Sequence, residues 1–558
     1  MKIIECVPNF SEGRDLNKIK EITDAIESAG GITLLDVDPG ADTNRTVVTI
    51  VGSPEAVIEA AFKGIKKASE IIDLRNHQGA HARMGATDVC PFVPIAGATM
   101  DDCVEYSEIL GARVGKELNI PVFLYEYSAS TPDRKNLANI RNGEFEGMAE
   151  KIKSSEWKPD YGPTENHTTA GVTAIGARNF LIAYNVNLNT KDKKIATDIS
   201  LDIREQGRNK RDKKGKFIRD ENGVPIKAPG IFKSCKAVGW YIEEYGVAQI
   251  SMNLTNFNDT APHIAFDECR TQASKRGVRV TGSELVGLIP LEAMLTAGKY
   301  YLHKQKRSVG IPEKDIIHIA IKSMGLDELA PFDPQEKIIE YSISEKFGPL
   351  ASMKIHGFCD ELSSDSPAPG GGSVAALAGS LAASLSAMVA NLTFGKKKWM
   401  PLYDEMNGIA EKSQNIKADL LQLIDKDTDA FNKVMDSFRL PQKTKEQEEF
   451  RQKAMNDAMK IATMVPFDTL KRCSDVLPLA KQAATSGNPN SVSDAGVAAE
   501  MAYAGVRGAA LNVYINLKDM KDTAFIEKMQ TQTHQIITDS EIILEEVRSI
   551  VDDKITHG

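Results

Sequence analysis

Leu329-Ala330-Pro331-Phe332-Asp333-Pro334, followed shortly by Gly348-Pro349-Leu350-Ala351-Ser352, marks the place where the chain changes character. Prolines and a glycine punctuate this stretch, and the hydrophobic period differs on its two sides. Upstream, strand-like runs at 3–7, 33–37, 46–51, 90–94 and 122–125 alternate with helical spacing at 16–28, 55–71 and 101–118. A second alternation follows, with strands at 180–187 and 248–254 and helices at 192–206, 261–276 and 290–302. Downstream, helical spacing takes over at 354–363, 373–393, 402–438, 445–472, 477–486, 491–518 and 522–555. The pattern predicts a multidomain protein: two α/β subdomains over 1–178 and 179–328, a linker at 329–350, and an all-α helix bundle over 351–558.

At 558 residues the chain is too long for one core. A formal charge of -9 and a pI near 5.7 argue against nucleic-acid binding, which needs clustered cations. Seven cysteines are scattered without a C-x-x-C pair or zinc-ligand spacing, which points to reduced thiols, a cytoplasmic location and no structural zinc. The first residues meet Glu12 and Arg14 too soon for a signal peptide. Residues 366–395 carry no charge, but Ala, Ser and Gly dominate them, so the expectation is a helix buried in a bundle and no membrane span.

The richest chemistry lies in 76–92, which holds His77, His81, Arg83 and Asp88 with little helical or strand period. It reads as an active-site loop with a proton shuttle and an anion clamp, without a choice between the two histidines. The basic stretch 204–233 reads as a solvated loop. In the bundle, Gly370-Gly371-Gly372-Ser373 opens a helix; it suits either a carboxylate or phosphate or, equally, a tight turn between packed helices. Asp425, Asp427 and Asp429 read first as a solvated acidic face. The alternative is that Asp427, among apolar neighbours, is tuned for proton transfer. Asn512 and Asn516 share a helix face and need partners, of which backbone is the commoner.

Taken together, Val7-Pro8-Asn9-Phe10-Ser11-Glu12-Gly13, Asp36-Val37-Asp38, Thr43-Asn44-Arg45-Thr46, the run from His77-Gln78-Gly79 to Pro94, Gly176-Ala177-Arg178-Asn179-Phe180, 368–376, 425–431 and 512–517 resemble the bifunctional formimidoyltransferase-cyclodeaminase family, nearly end to end. The resemblance implies transfer of a formimino group from N-formimino-L-glutamate to tetrahydrofolate, then cyclisation to 5,10-methenyltetrahydrofolate with loss of ammonia. His81 matches the family's catalytic histidine and Asp427 its catalytic acid/base. Gly162, Pro163, Thr164, Glu165, Asn166, His167, Thr168, Thr169, Ala170 and Gly171 match its folate-binding segment. Guanidinium geometry makes Arg45, Arg83 and Arg178 candidates for holding substrate carboxylates. His77 is assigned to substrate binding or to orienting the loop, and the Gly370 to Ser373 turn to part of the folate. Tetrahydrofolate, with or without a polyglutamate tail, is the expected co-substrate, without metal or redox cofactor, and the expected assembly is a homo-oligomer built from dimers. Two departures stand out: Ala82, where a proline often follows the histidine, and the length of 204–233. The competing readings are a folate-binding scaffold without turnover and an enzyme with one active half.

Overall fold

The computed structural model describes residues 2–41, 43–79, 82–343, 348–518 and 520–557. It divides into two compact units, Met1–Ala297 with Met324–Ser344, and Gly298–Ser323 with Glu345–Gly558.

The first unit holds two larger sheets. In the first, strands β1 (Ile3–Cys6), β2 (Asn9–Phe10), β3 (Ile32–Gly40), β4 (Arg45–Gly52), β5 (Thr87–Ala96), β6 (Val122–Glu126) and β7 (Thr173–Ala177) are ordered β3-β4-β1/β2-β5-β7-β6. β1 and β2 lie successively between β4 and β5, separated at Pro8, whose ring nitrogen has no proton to donate to a ladder. This half is antiparallel, whereas β5, β7 and β6 run parallel, and Ala177 and Glu126, the last residues of β7 and β6, lie in line with Phe92 in the middle of β5. Helices Leu16–Glu27, Pro54–Ile71 and Met100–Glu117 cover the apolar face formed by Ile4, Ile50 and Phe92. Their starts are encoded locally: Ser53 accepts from the Ala56 N–H ahead of Pro54, and Thr99 with Asp102 forms a capping box.

The second sheet is antiparallel, ordered β11-β12-β8-β13 from β8 (Ile182–Leu188), β11 (Cys235–Ile242), β12 (Val247–Leu254) and β13 (Val280–Val286). β7, β11 and β13 were not expected from the sequence. In β11 the buried face is carried by Cys235, Ala237 and Gly239 against helix Lys193–Ile203, so its alternation is one of size more than of hydrophobicity.

Between these strands, 204–233 is exposed, as expected, but it is ordered. Lys210–Phe217 and Ile218–Pro225 repeat the pattern x-Arg-Asp-x-x-Gly. In each copy the Asp carboxylate accepts two backbone N–H groups, and the Arg guanidinium donates to the Gly carbonyl. The short pair β9 (Arg208–Asn209) and β10 (Lys227–Ala228) closes the base.

Two boundaries differ from expectation. Residues 298–323, expected with the second α/β subdomain, belong to the helical unit. Gly310 packs its backbone directly on Ala410, where a Cβ would not fit, and Asn391 Nδ2 donates to the Gly310 carbonyl at 2.7 Å. The expected linker is also folded for much of its length: Ile338 and Ile339 are fully buried, and the backbone of Ile289 is bonded to Lys337 and Ile339.

The helical unit is built on Gly371–Thr393, Tyr403–Phe438, Lys445–Ser486, Val492–Leu517 and Thr523–His557. Expectation placed a break at 472–477, yet one helix runs through both Pro466 and Pro478. Each proline removes a single N–H, and the burial of Phe467, Leu470, Leu477 and Ala480 around them holds the helix together. Helix Gly371–Thr393 is long and apolar enough to cross a membrane, but 61% of its apolar window is buried within the protein, as in a core helix.

Candidate active sites

In the first unit a cavity of about 970 Å³ opens at the carboxyl ends of β7 and β6, beside the middle of β5, the end of a parallel sheet where ligands bind. Pro91, Tyr125, Glu126 and Arg178 supply one wall, and Lys236 and Asn253 from the second sheet, with Ser234 just ahead of it, another. Arg45, Lys135 and Arg141 add positive charge. Of the arginines expected to hold carboxylates, Arg45 and Arg178 therefore reach the cavity. Arg141, which sequence reasoning passed over, is joined to the buried Asp88, with Nε donating to Oδ2 at 2.8 Å. Burial lowers the Arg45 pKa from its usual value, against an opposing pull from Asp88.

Behind this wall lies Glu5, buried on β1. Burial pushes its carboxyl up to about 7, and the charge of Arg178 works in the opposite direction. A folded pKa above the unfolded value near 4.5 means that stability is fully present below that pH and declines as pH rises through about 7. Glu5→Gln is expected to remove a decline of roughly 3 kcal/mol between pH 4.5 and 8. Chemical unfolding at both ends of the range checks this, and equal declines in the two proteins would count against it.

His81 lies outside the described residues. His77 does not face the cavity: its Nε2 donates to the Asn44 carbonyl at 2.8 Å, while its buried Nδ1 has no partner among the described residues. Asn44 in turn donates to the Gln78 carbonyl and accepts from the Gly13 N–H. His77 thus ties the loop to the residues just ahead of β4. Arg83 departs from expectation as a substrate clamp. Its guanidinium is bidentate to Glu146, at 2.6 and 2.8 Å, and also bonds Glu144 at 3.1 Å. It holds the loop to the protein's own acids.

The segment Gly162 to Gly171 does not line the large cavity. Thr164, Glu165 and Asn166 border a separate one of about 610 Å³. His167 Nδ1 accepts from the Ala170 N–H at 3.0 Å, and burial lowers its pKa, consistent with a neutral ring closing a turn. The Ala170 carbonyl accepts from Ala86 N–H, and Val172 N–H donates to the Met84 carbonyl, so the end of the segment is stitched to the end of the histidine loop. This adjacency joins residues far apart in the chain and left no sequence signal.

In the helical unit Asp427 meets the start of helix Gly371–Thr393. Ser373 N–H donates to Asp427 Oδ2 at 3.0 Å and its Oγ lies 3.4 Å from the same oxygen. Ser373 Oγ also donates to the Ile424 carbonyl at 2.8 Å, pinning the two helices together. Gly372 lies against the carboxyl group itself, and the Gly371 backbone faces the Asn512 amide. Burial raises the Asp427 pKa, opposed by the two bonds from Ser373. The solvated-face reading is therefore corrected for Asp427. It is also corrected for Asp425, which accepts from the Leu350 and Ala351 N–H groups, and it holds for exposed Asp429. Gly370 precedes the helix and contributes no close approach. Asn512 and Asn516 donate to the carbonyls of Gly508 and Ala462, the backbone partners expected.

Three family models match the chain: "Formiminotransferase domain, N-terminal subdomain" over 3–178, "Formiminotransferase domain" over 183–344, and "Formiminotransferase-cyclodeaminase" over 354–535. The chain is 41% identical over 543 residues to the formimidoyltransferase-cyclodeaminase of Mus musculus, covering 97% of each. To that of Dictyostelium discoideum it is 41% identical over 558 residues, covering 99% of each. It is 45% identical over 301 residues to a glutamate formimidoyltransferase of Streptococcus pyogenes serotype M1, covering 54% of this chain and 93% of that protein. With kinship running the whole length and a carboxylate- or cation-lined site in each unit, the chain belongs to the formimidoyltransferase-cyclodeaminase family.

Proposed function

We propose that the first unit moves the formimino group of N-formimino-L-glutamate to N5 of tetrahydrofolate, and that the helical unit closes the product to 5,10-methenyltetrahydrofolate. The chain is a bifunctional transferase and cyclodeaminase of histidine degradation and folate metabolism. The observation that carries the proposal is the pairing of a cation-lined cavity in one unit with a separate, half-buried carboxyl, Asp427, held at a helix start in the other.

Arg45 and Arg178 line a cavity suited to substrate carboxylates. His81 takes the N5 proton as N5 attacks the amidine carbon, and returns it to the glutamate nitrogen as that bond breaks. In the second site N10 attacks the same carbon. Asp427, kept protonated by burial more readily than an ordinary carboxyl, donates to the nitrogen that leaves as ammonia. The Gly371 to Ser373 backbone offers helix-start N–H groups beside it. The scattered cysteines support a cytoplasmic setting, and the small-residue helices are compatible with a homo-oligomer of dimers.

Purified full-length chain given tetrahydrofolate and N-formimino-L-glutamate should release glutamate and ammonia and develop methenyltetrahydrofolate absorbance. Binding without turnover would replace this reading with a folate-binding scaffold, and accumulation of the 5-formimino product would leave only the first half active.

A further inference from the structure

Glu126 ends β6 on the cavity wall with φ +54°, a left-handed conformation that costs a residue with a side chain on the order of 1–2 kcal/mol. The turn is held by its surroundings. Tyr127 N–H donates to the Ala177 carbonyl, and Ser128 Oγ accepts from Ala177 N–H and from Ser107 Oγ. These bonds aim the last side chain of the strand at the strand-end cavity.

The charge pattern there is uneven. Partial burial raises the pKa of the Glu126 carboxyl above its ordinary value, and the charges of Arg178, Lys236 and Lys135 pull the other way, toward the ionised form. The other cavity acid, Asp259, accepts from Ser234 Oγ at 2.6 Å and from Asn256 Nδ2 at 3.0 Å. The Glu126 carboxylate makes no hydrogen bond to another described residue. Among the described acids of this wall it is the one left for a ligand.

Cations suit the two carboxylates of N-formimino-glutamate, but the formimino group itself is an amidine, protonated at neutral pH, and a wall of cations alone would repel it. Resting on the transferase reading above, we propose that Glu126 is the specificity-determining residue that receives the amidinium N–H groups of the substrate. The carboxylate stabilises the protonated amidine, whose carbon is the more electrophilic form, and gives or takes no proton itself. The bond from N5 to that carbon forms, N5 loses its proton to the base, and the bond from carbon to the glutamate nitrogen breaks with its electron pair and a proton going to glutamate. A neutral N-formyl group lacks the charge that Glu126 reads.

The test uses the full chain with Glu126→Gln and Glu126→Gly, N-formimino-glutamate as substrate and N-formyl-glutamate as competitive inhibitor. Both variants are expected to raise KM for N-formimino-glutamate roughly 10- to 100-fold, the range for losing a charge-assisted hydrogen bond, while the inhibition constant for N-formyl-glutamate stays within about threefold. Glu126→Gly, which relieves the left-handed backbone, should melt no lower than wild type, separating a lost contact from a damaged fold. Equal weakening of both compounds, or no change in either, overturns the assignment with the transferase reading intact. Absence of turnover in wild type overturns that reading and the assignment with it.

Discussion

Asp427→Asn abolishes cyclisation of supplied 5-formiminotetrahydrofolate and leaves transfer at the wild-type rate, while His81→Asn does the reverse. Each loss is expected at about 10²- to 10⁴-fold in kcat, the range for removing a positioned acid or base. An amide keeps the shape of the carboxyl and can still accept from the Ser373 N–H, so the loss would report proton transfer and not collapse. Stability should move the other way. Burial holds the Asp427 carboxyl above its ordinary range, so the folded chain binds that proton more tightly than the unfolded chain, and stability falls as pH rises through the folded value. Asn escapes the cost of a buried charge, so the variant should melt higher than wild type at neutral pH, with the gap closing in acid. Separate assays of transfer and cyclisation, with melting curves across pH, check all three statements. A folded single variant that lost both activities would sink the two-site picture.

Gly372→Ala is expected to cost cyclisation about 100-fold or more without touching transfer. A methyl there falls within the van der Waals envelope of all three atoms of the Asp427 carboxyl group. Ser373 is fully buried and bonded to Ile424, so the helix start has little room to retreat, and the carboxyl must turn away from its Ser373 donors. A displacement near 1 Å of a reacting group commonly costs a factor of this size. The neighbour provides the contrast: a Cβ on Gly371 would stand 3.3 Å from Asn512 Nδ2, a side chain able to give way, so Gly371→Ala should cost less than tenfold. Similar rates for the two variants would mean that the close approach at Gly372 does not position Asp427.

The limits of reading the chain by itself show at particular residues. Asp425, Asp427 and Asp429 look alike in sequence, yet one binds the backbone of Leu350 and Ala351, one the start of another helix, and one faces solvent. Arg45, Arg83 and Arg178 were equal candidates for a carboxylate, until Glu144 and Glu146 turned out to occupy Arg83. Glu126 carried no signal at all, because its left-handed backbone is imposed by Ser128 and Ala177 and not by a turn motif of its own.

By itself the sequence determined the α/β halves, the helical half and most helix starts, because periodicity and capping are local and a few neighbouring residues decide them. It also carried the family, through motifs spread over the whole chain. The tertiary structure alone decided that 298–323 joins the helical unit, that the segment at 162–171 is stitched to the histidine loop, and which charges remain for a ligand. Those outcomes depend on burial and on partners hundreds of residues away, and a carboxylate or guanidinium acquires its role only from what the fold sets beside it.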